Sequence, residues 1–183
     1  MPKLVMAAEG GAGMVLSIGP GAYRERLGDT FTELREPVCR YLLALGLASA
    51  EAEEIAQETF LRLCQHLDSQ GSETNVRGWI FRVAHNLARD EHRRRKRRPM
   101  ETIDNGTDRR DHRASPEDDL LSRERAARMA KAMAKLPQHQ QECLHLRAEG
   151  LRYREIAEVL GAGVSTVAEW VQQALKTLEK EMR

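Results

Sequence analysis

Apolar residues recur at three- and four-residue spacing along most of the chain, which is the spacing of one face of an α-helix. The pattern begins with Tyr23, Leu27, Phe31 and Leu34. A proline lacks the N–H that a helix interior needs, so Pro37 is predicted to interrupt this first helix before Gly46 ends it. The chain from Ala22 to Gly46 is therefore predicted to be helical rather than extended.

A second and a third helix are predicted in the next fifty residues. Ser49 precedes a run of acidic residues and is predicted to be an N-cap. A polar loop over residues 68–75 separates this helix from the third, which Pro99 ends. Trp79 lies at helical spacing from apolar residues, which favours an inward position. We therefore expect a small helical domain over residues 22–99.

The second half repeats the helical pattern after a break. Residues 100–116 are almost free of apolar side chains and predict a flexible linker. The helix after it, over residues 117–136, carries an apolar face made of Leu121, Met129, Met133 and Leu136. A short helix around Cys143 follows. A second domain is thus predicted over residues 117–183.

The end of this second domain has the pattern of a helix-turn-helix. That motif needs a small residue where its helices cross, a glycine in the turn and apolar positions that fix the crossing angle. Ala157, Gly161 and Val167 fit these roles, and Ser165 with Thr166 is predicted to cap the second helix while leaving its first amides free for phosphate. An ordinary helical hairpin is the alternative.

Composition agrees with an all-α protein made of two small helical domains joined by a flexible linker, the second with a helix-turn-helix. The chain has 183 residues, of which 31% are charged and 4% aromatic.

Residues 1–21 lack the basic start and unbroken apolar centre of a secretory signal. They are interpreted as a disordered leader, or as an over-extended start with Met14 as the initiator. Neither a signal nor a membrane-inserted segment is expected.

The formal net charge of +1 conceals two segments of opposite sign. Residues 77–98 hold nine Arg and Lys against two acids, whereas residues 49–76 hold six acids and one base. The basic segment also contains Trp79, Phe81, His85 and Asn86. Phosphates attract cations, and unstacked bases need flat rings and amides, so this mixture favours nucleic acid over a merely solvated helix end.

Several stretches together resemble the extracytoplasmic-function (ECF) group of bacterial RNA polymerase sigma factors. In the first half these are EAEEIAQETFLRL and RGWIFRVAHNLARDEHRRRKRRP; in the second half they are SPEDDLLSRERAARM, KLPQHQQECLHLRAEGLRYREIAEVLG and VSTVAEWVQQAL. The resemblance runs from about Tyr23 to Met182. It implies two domains, regions two and four, and the function of directing promoter-specific initiation by core RNA polymerase.

The resemblance also implies which residues bind each partner. Glu54, Gln57 and Glu58 share one helical face and are expected to bind the clamp of the polymerase. Backbone phosphates are expected to contact Arg77, Arg82, Arg89, Arg93 and Arg94. The loop over residues 68–76 is expected to receive an extruded base, with Asn86 nearby.

The second domain departs from the family pattern in the helix that should read DNA. No Lys or Arg occurs between Arg154 and Lys176. Gln172 or Gln173 can still pair with adenine, while Ser165 and Thr166 can hold phosphate. We therefore predict weak or unusual recognition of the minus-thirty-five element, with more affinity from the first domain.

No catalytic constellation stands out, so the chain is predicted not to be an enzyme and to need no cofactor. His139, Cys143 and His145 lie close in sequence but lack a fourth ligand, so no metal site is expected. The lone cysteines favour the cytoplasm.

The alternative function is a sigma-like adaptor or decoy that acts through protein contacts; a dimeric repressor explains the acidic helix less well. The family often uses an anti-sigma factor, which is a further expected partner.

Overall fold

Seven helices make up almost all of the structure, a computed structural model that describes residues 16–17, 22–70, 72–97 and 116–182. In chain order they are α1 (Ala22–Ala44), α2 (Ser49–Gln70), α3 (Val76–Arg97), α4 (Pro116–Ala134), α5 (Gln138–Ala148), α6 (Tyr153–Leu160) and α7 (Val164–Met182). The predicted all-α class is confirmed. None of these helices, over the described ranges, is long and apolar enough to cross a membrane.

Helices α1, α2 and α3 pack against one another around a common core. This core includes Leu34, Val38, Leu42, Leu63, Ile80 and Phe81, all fully buried. The expectation that Pro37 interrupts the first helix is wrong, because α1 continues through it. Leu34 and Val38, on either side of the proline, bury the same face against the neighbouring helices, and this burial outweighs the lost backbone hydrogen bond.

The ends of α2 differ from the sequence prediction. Ala48, not Ser49, occupies the N-cap position: the Ala48 carbonyl accepts from Ala52 N–H at 2.8 Å, and the Ala48 N–H donates to Glu51 Oε2 at 2.8 Å. The Glu51 carboxylate thus accepts the backbone N–H of the N-cap residue, which is the reciprocal bond of a capping box. At the other end α2 continues to Gln70, so the polar loop is shorter than the predicted span of residues 68–75.

Two short strands accompany the helices. Strand β1 (Leu16–Ser17) pairs antiparallel with β2 (Ser72–Glu73), in the register Leu16 opposite Glu73. Residues 16–17 belong to the segment predicted as a disordered leader, so that prediction is wrong for this pair. The other residues of the segment, and most of the predicted linker, lie outside the described residues.

Helices α4 to α7 form the second group, in which α7 packs against the other three. Helix α6 ends at Gly161 in the left-handed conformation (φ 66°), and the N–H of Ala162 returns to the carbonyl of Ala157 at 3.0 Å. This geometry is that of a helix-turn-helix. Since α7 starts at Val164, Ser165 and Thr166 lie inside its first turn rather than at its cap. Met129, predicted inward, is 41% exposed.

Candidate protein- and nucleic-acid-binding surfaces

The first candidate surface is a solvent-facing strip of α2. Glu54 and Gln57 are exposed and Glu58 is half-buried, one helical turn apart on the same side. Glu58 accepts from Arg62 Nε at 2.7 Å. Leu61 continues the strip and is 58% exposed, whereas the adjacent Phe60 is buried against Phe31. The predicted trio therefore shares one face with an apolar side chain.

Helix α3 separates its apolar and basic residues onto different faces. The buried face consists of Val76, Gly78, Ile80, Phe81, Ala84, His85 and Ala88. Arg82, Asn86, Arg89 and Arg93 are exposed and follow one another at helical spacing. The structure thus brings four of the predicted DNA-binding residues onto one line, which we call the α3 basic strip. Arg94 lies about a third of a turn away from it.

The cations of α3 differ in their ion pairs. Arg93 pairs with Asp90, and Arg94 Nε lies 2.9 Å from Glu91 Oε2. Arg82 and Arg89 have no ion pair with any described residue. Pairing with a neighbouring carboxylate reduces the charge that a phosphate meets. Arg82 and Arg89 are therefore the strongest attractors for phosphate on the α3 basic strip.

Arg77 is held by contacts inside the protein. Its Nη1 donates to the backbone oxygen of Glu149 at 2.9 Å, and its Nη2 donates to Glu33 Oε1 at 2.6 Å. The side chain is half-buried and lies on the far side of α3 from the basic strip. Both amino groups of Arg77 are thus engaged by protein oxygens, so the arrangement favours a structural role for Arg77 over the predicted phosphate contact.

Two of the rings that lie among the basic residues of the sequence are in the core. Phe81 is fully buried, and His85 is 2% exposed with its Nδ1 2.8 Å from the hydroxyl of Tyr41. Burial, and secondarily the charge of Arg89, lowers the pKa of His85 to about 4. Both rings therefore stabilise the fold and cannot stack on a base.

Trp79 stands beside the loop that precedes α3. It is half-buried, as the helical spacing predicted, and its ring stacks on His66 with centroids 4.9 Å apart. His66 Nε2 lies 3.1 Å from Glu73 Oε2 at the other side of the loop. These contacts join α2, the loop and α3, so they fix the position of the predicted base-receiving segment.

Asn75 organises the end of that loop. Its Oδ1 accepts from Gly78 N–H at 3.0 Å and its own N–H donates to Glu73 Oε1 at 3.0 Å. A Cβ at Gly78 would lie 2.3 Å from Asn75 Nδ2, so a larger residue there would displace the Asn75 amide from its capping position. This cap was not predicted from the sequence, although an asparagine just before a helix is its usual signal.

The outer face of α7 carries little positive charge. Ser165, Glu169, Gln172 and Lys176 are exposed at helical spacing, so the acid Glu169 stands between the two polar residues predicted to meet DNA. Gln173 Oε1 accepts from Gln140 Nε2 at 3.1 Å. Gln172 is thus the freer of the two glutamines, and Thr166 is half-buried.

Within the described ranges no three His, Cys, Asp or Glu residues are placed to hold a metal ion. Cys143 is fully buried, and its burial, with the charge of Glu142, raises the pKa of its thiol to about 11. A thiol in that state is a poor ligand and a poor nucleophile.

Comparison with known families and proteins gives matches in both halves. Residues 30–98 match the family Sigma-70 region 2, and residues 126–178 match Sigma-70, region 4. The chain is 31% identical over 144 residues to the ECF RNA polymerase sigma factor SigW of Bacillus subtilis, covering 73% of this chain and 76% of SigW. It is 30% identical to EcfG of Rhodopseudomonas palustris, covering 75% of each.

Coverage is lower for a longer relative, the ECF RNA polymerase sigma factor BldN of Streptomyces coelicolor. The chain is 28% identical to BldN over 160 residues, spanning 85% of this chain and 60% of BldN. Among solved structures, the sigma factor RpoE in complex with the anti-sigma factor NepR from Bartonella quintana superimposes with a TM-score of 0.63 at 20% identity, covering 86% of this chain and 97% of RpoE. That structural likeness supports the fold.

Proposed function

The chain belongs to the ECF group of RNA polymerase sigma factors and directs promoter-specific transcription initiation with core RNA polymerase, and we propose which of its surfaces meets each partner. The chain is not an enzyme; catalysis belongs to the polymerase. We propose that the two domains span residues 22–99 and 117–183. We also propose that the protein acts in the cytoplasm.

The polymerase side of the proposal is the strip of Glu54, Gln57, Glu58 and Leu61. Exposed carboxylates suit a basic protein surface, because opposite charges steer association and fix orientation. An exposed leucine beside them supplies apolar area at the centre of such a contact. The ion pair of Glu58 with Arg62 leaves Glu54 as the carboxylate most available to a partner.

The DNA side of the proposal is the α3 basic strip. Arg82, Arg89 and Arg93 are placed to neutralise successive phosphates, and Asn86 lies among them to bond a base or sugar. The loop before α3 receives the extruded base, and Trp79 with Asn75 keeps the loop rigid. The observation that carries the proposal is this single line of exposed cations with an amide in its middle.

The second domain is proposed to contribute less to promoter affinity. Ser165, Thr166 and Gln172 present hydroxyls and an amide, while Glu169 repels phosphate from the same face. Arg-to-guanine pairs, which are worth about 1 to 3 kcal/mol of discrimination, have no donor there. The acid on α7 is also the observation that favours the second candidate function, a sigma-like adaptor whose second domain binds protein.

Run-off transcription with purified core polymerase tests the proposed function. Genomic fragments that carry promoters should yield discrete transcripts only when the chain is added. Arg82→Ala and Arg89→Ala together should reduce transcript yield without reducing core binding, whereas Lys131→Ala, an exposed cation on α4, should leave the yield unchanged. Core binding with no transcript from any fragment would support the adaptor instead.

An anti-sigma factor is the remaining proposed partner. RpoE, which shares this fold, is bound to the anti-sigma factor NepR in its solved structure. We expect such a partner to suppress the run-off transcript when it is added before core polymerase. Suppression that persists when it is added after the promoter complex has formed would point to a different mode of action.

A further inference from the structure

Strand β1 reaches the loop that precedes α3. Leu16 lies opposite Glu73 and Ser17 lies opposite Ser72, in an antiparallel pair. Strand β2, to which Ser72 and Glu73 belong, stands between the end of α2 and the start of α3. Residues that precede α1 are thus backbone partners of the loop that we propose to receive the extruded base.

Glu73 connects this pair of strands to the helices. Its carboxylate meets both neighbouring elements: Oε2 lies 3.1 Å from His66 Nε2 of α2, and Oε1 accepts from the N–H of Asn75, which caps α3, at 3.0 Å. The Glu73 side chain is only 18% exposed, so water competes little for these bonds. The residue opposite Leu16 is therefore the one whose side chain ties the loop to α2 and α3.

A pair of two-residue strands is marginal by itself. Here the pair is supported, because the His66 ring that contacts Glu73 also stacks on Trp79 of α3. The pairing in turn fixes the backbone dihedral angles of Ser72 and Glu73. A segment that is already ordered loses less conformational entropy on binding, so it binds more tightly than one that must order during binding.

We propose that residues 16–17 belong to the promoter-opening surface, because β1 holds the loop before α3 in the conformation that receives the extruded base. Leu16 and Ser17 act through the backbone of β2, so they are positioning residues and do not contact the base. The inference rests on the proposed function for the role of the loop. The support that β1 gives to the loop does not depend on that function.

The polymerase-binding strip and the α3 basic strip lie outside this contact. Glu54 precedes Gln70, the last residue of α2, by about four helical turns, or roughly 24 Å along the axis. Loss of the β1–β2 pair should therefore leave core polymerase affinity within about twofold. The cations of α3 stay on their helix in either case, so the salt dependence of DNA binding should also persist.

Hydrogen exchange in the free chain tests the support of the loop. The Leu16→Pro and Ser17→Pro double variant removes both backbone N–H groups of β1, and a strand without these donors cannot keep its ladder. The Leu16→Val and Ser17→Thr double variant is the matched control, since β-branched residues keep both N–H groups and favour strands. Amides of residues 72–75 should exchange at least about threefold faster in the proline variant than in the wild type or the control.

Binding of a premelted promoter asks whether the supported loop recognises a base. Core polymerase carrying each variant is bound to a promoter fragment with an unpaired bubble, in which each non-template base is replaced in turn by an abasic site. In the wild type, one abasic site should weaken binding about tenfold, because a bound base contributes stacking and hydrogen bonds. The proline variant should bind the intact and that abasic fragment within about threefold of each other, whereas the control keeps the wild-type difference.

Glu73→Ala tests the same loop without changing β1. It removes the carboxylate that joins β2 to His66 and Asn75. This variant should reduce the discrimination at the same base position, which an unrelated effect of proline in residues 16–17 would not do. It also replaces the proline variant if circular dichroism shows that the latter fails to fold.

The outcomes separate the claims. Equal exchange of residues 72–75 in the proline variant and the wild type would overturn the support of the loop by β1. Faster exchange with full base discrimination, or a wild type that is insensitive to every abasic site, would overturn the positioning role. If exchange responds to proline but the wild type gives no promoter-specific transcript with core polymerase, the proposed function fails and the support of the loop stands.

Discussion

The hydroxyl of Tyr41 lies 2.8 Å from Nδ1 of His85, joining α1 to α3 in the interior of the protein. The two rings are stacked with centroids 6.2 Å apart, and His85 is buried. An unpaired ring nitrogen there would cost free energy, so the tyrosine satisfies it. The histidine is kept neutral by this environment, which makes the stability of the protein depend on pH.

The first prediction concerns that pH dependence. The folded pKa of about 4 lies below the usual 6.5, so the unfolded state binds more protons between these values. The free energy of unfolding should therefore fall as pH drops from 6.5 to 4, by at most roughly 3 kcal/mol from this group. Urea denaturation across this range measures the loss. His85→Gln, which does not titrate, should show a shallower dependence; an identical slope would contradict the assignment.

The second prediction compares two glycines. Gly161 has φ 66°, where a Cβ is strained, so Gly161→Ala should lower the free energy of unfolding by about 1 to 2 kcal/mol. Gly28 lies in α1 with no atom within 4 Å of the Cβ position, so Gly28→Ala should raise it by about 0.5 to 1 kcal/mol. Thermal unfolding of both variants should give shifts of opposite sign.

The third prediction tests the α2 strip. Glu54→Lys should weaken core polymerase binding about tenfold by placing a cation where a basic surface docks. Leu61→Ala should also weaken binding, with little loss of stability because the side chain is mostly exposed. Glu53→Lys makes the same charge change on the neighbouring face of the helix and is the control. Equal effects at positions 53 and 54 would show that net charge, not this strip, governs binding.

The fourth prediction uses salt to distinguish the arginines of α3. With core polymerase present, Arg89→Ala should reduce the slope of log affinity for promoter DNA against log salt by about 0.7 to 0.9, the value of one phosphate contact. Arg94→Ala should reduce it less, because Glu91 already pairs with Arg94. The Arg93→Ala and Arg94→Ala double variant should also flatten the dependence. Slopes unchanged in all three would exclude these residues as phosphate contacts.

The fifth prediction concerns α7. If amides read the minus-thirty-five element, Gln172→Ala should cost about 1 to 3 kcal/mol of discrimination at one base pair. Gln173→Ala should cost less, since Gln140 already bonds its amide. Footprints of the polymerase complex on promoter variants supply the measurement. Wild-type footprints that leave this element unprotected would favour a protein partner for the second domain.

The sequence alone was sufficient for the features that repeat over short distances. Helical spacing predicted the helices, the Ala157 and Gly161 pattern predicted the helix-turn-helix, and motif order indicated the sigma family. The counts of charged residues in each segment predicted an acidic α2 and a basic α3. These features depend on residues a few positions apart, whose geometry in a helix is fixed by the backbone.

Only the tertiary structure decided which of those residues are available to a partner. Arg77 donates to the backbone oxygen of Glu149, 72 residues away, and the Glu149 carboxylate binds Arg40, 109 residues away. Phe81 and His85, whose place among basic residues favoured nucleic-acid binding in the sequence, are buried, and both lie against Tyr41 of α1. Pro37 was accommodated for a related reason, since burial of the α1 face compensates for a lost hydrogen bond. Contacts between distant segments carry no local pattern, so periodicity and composition could not reveal them.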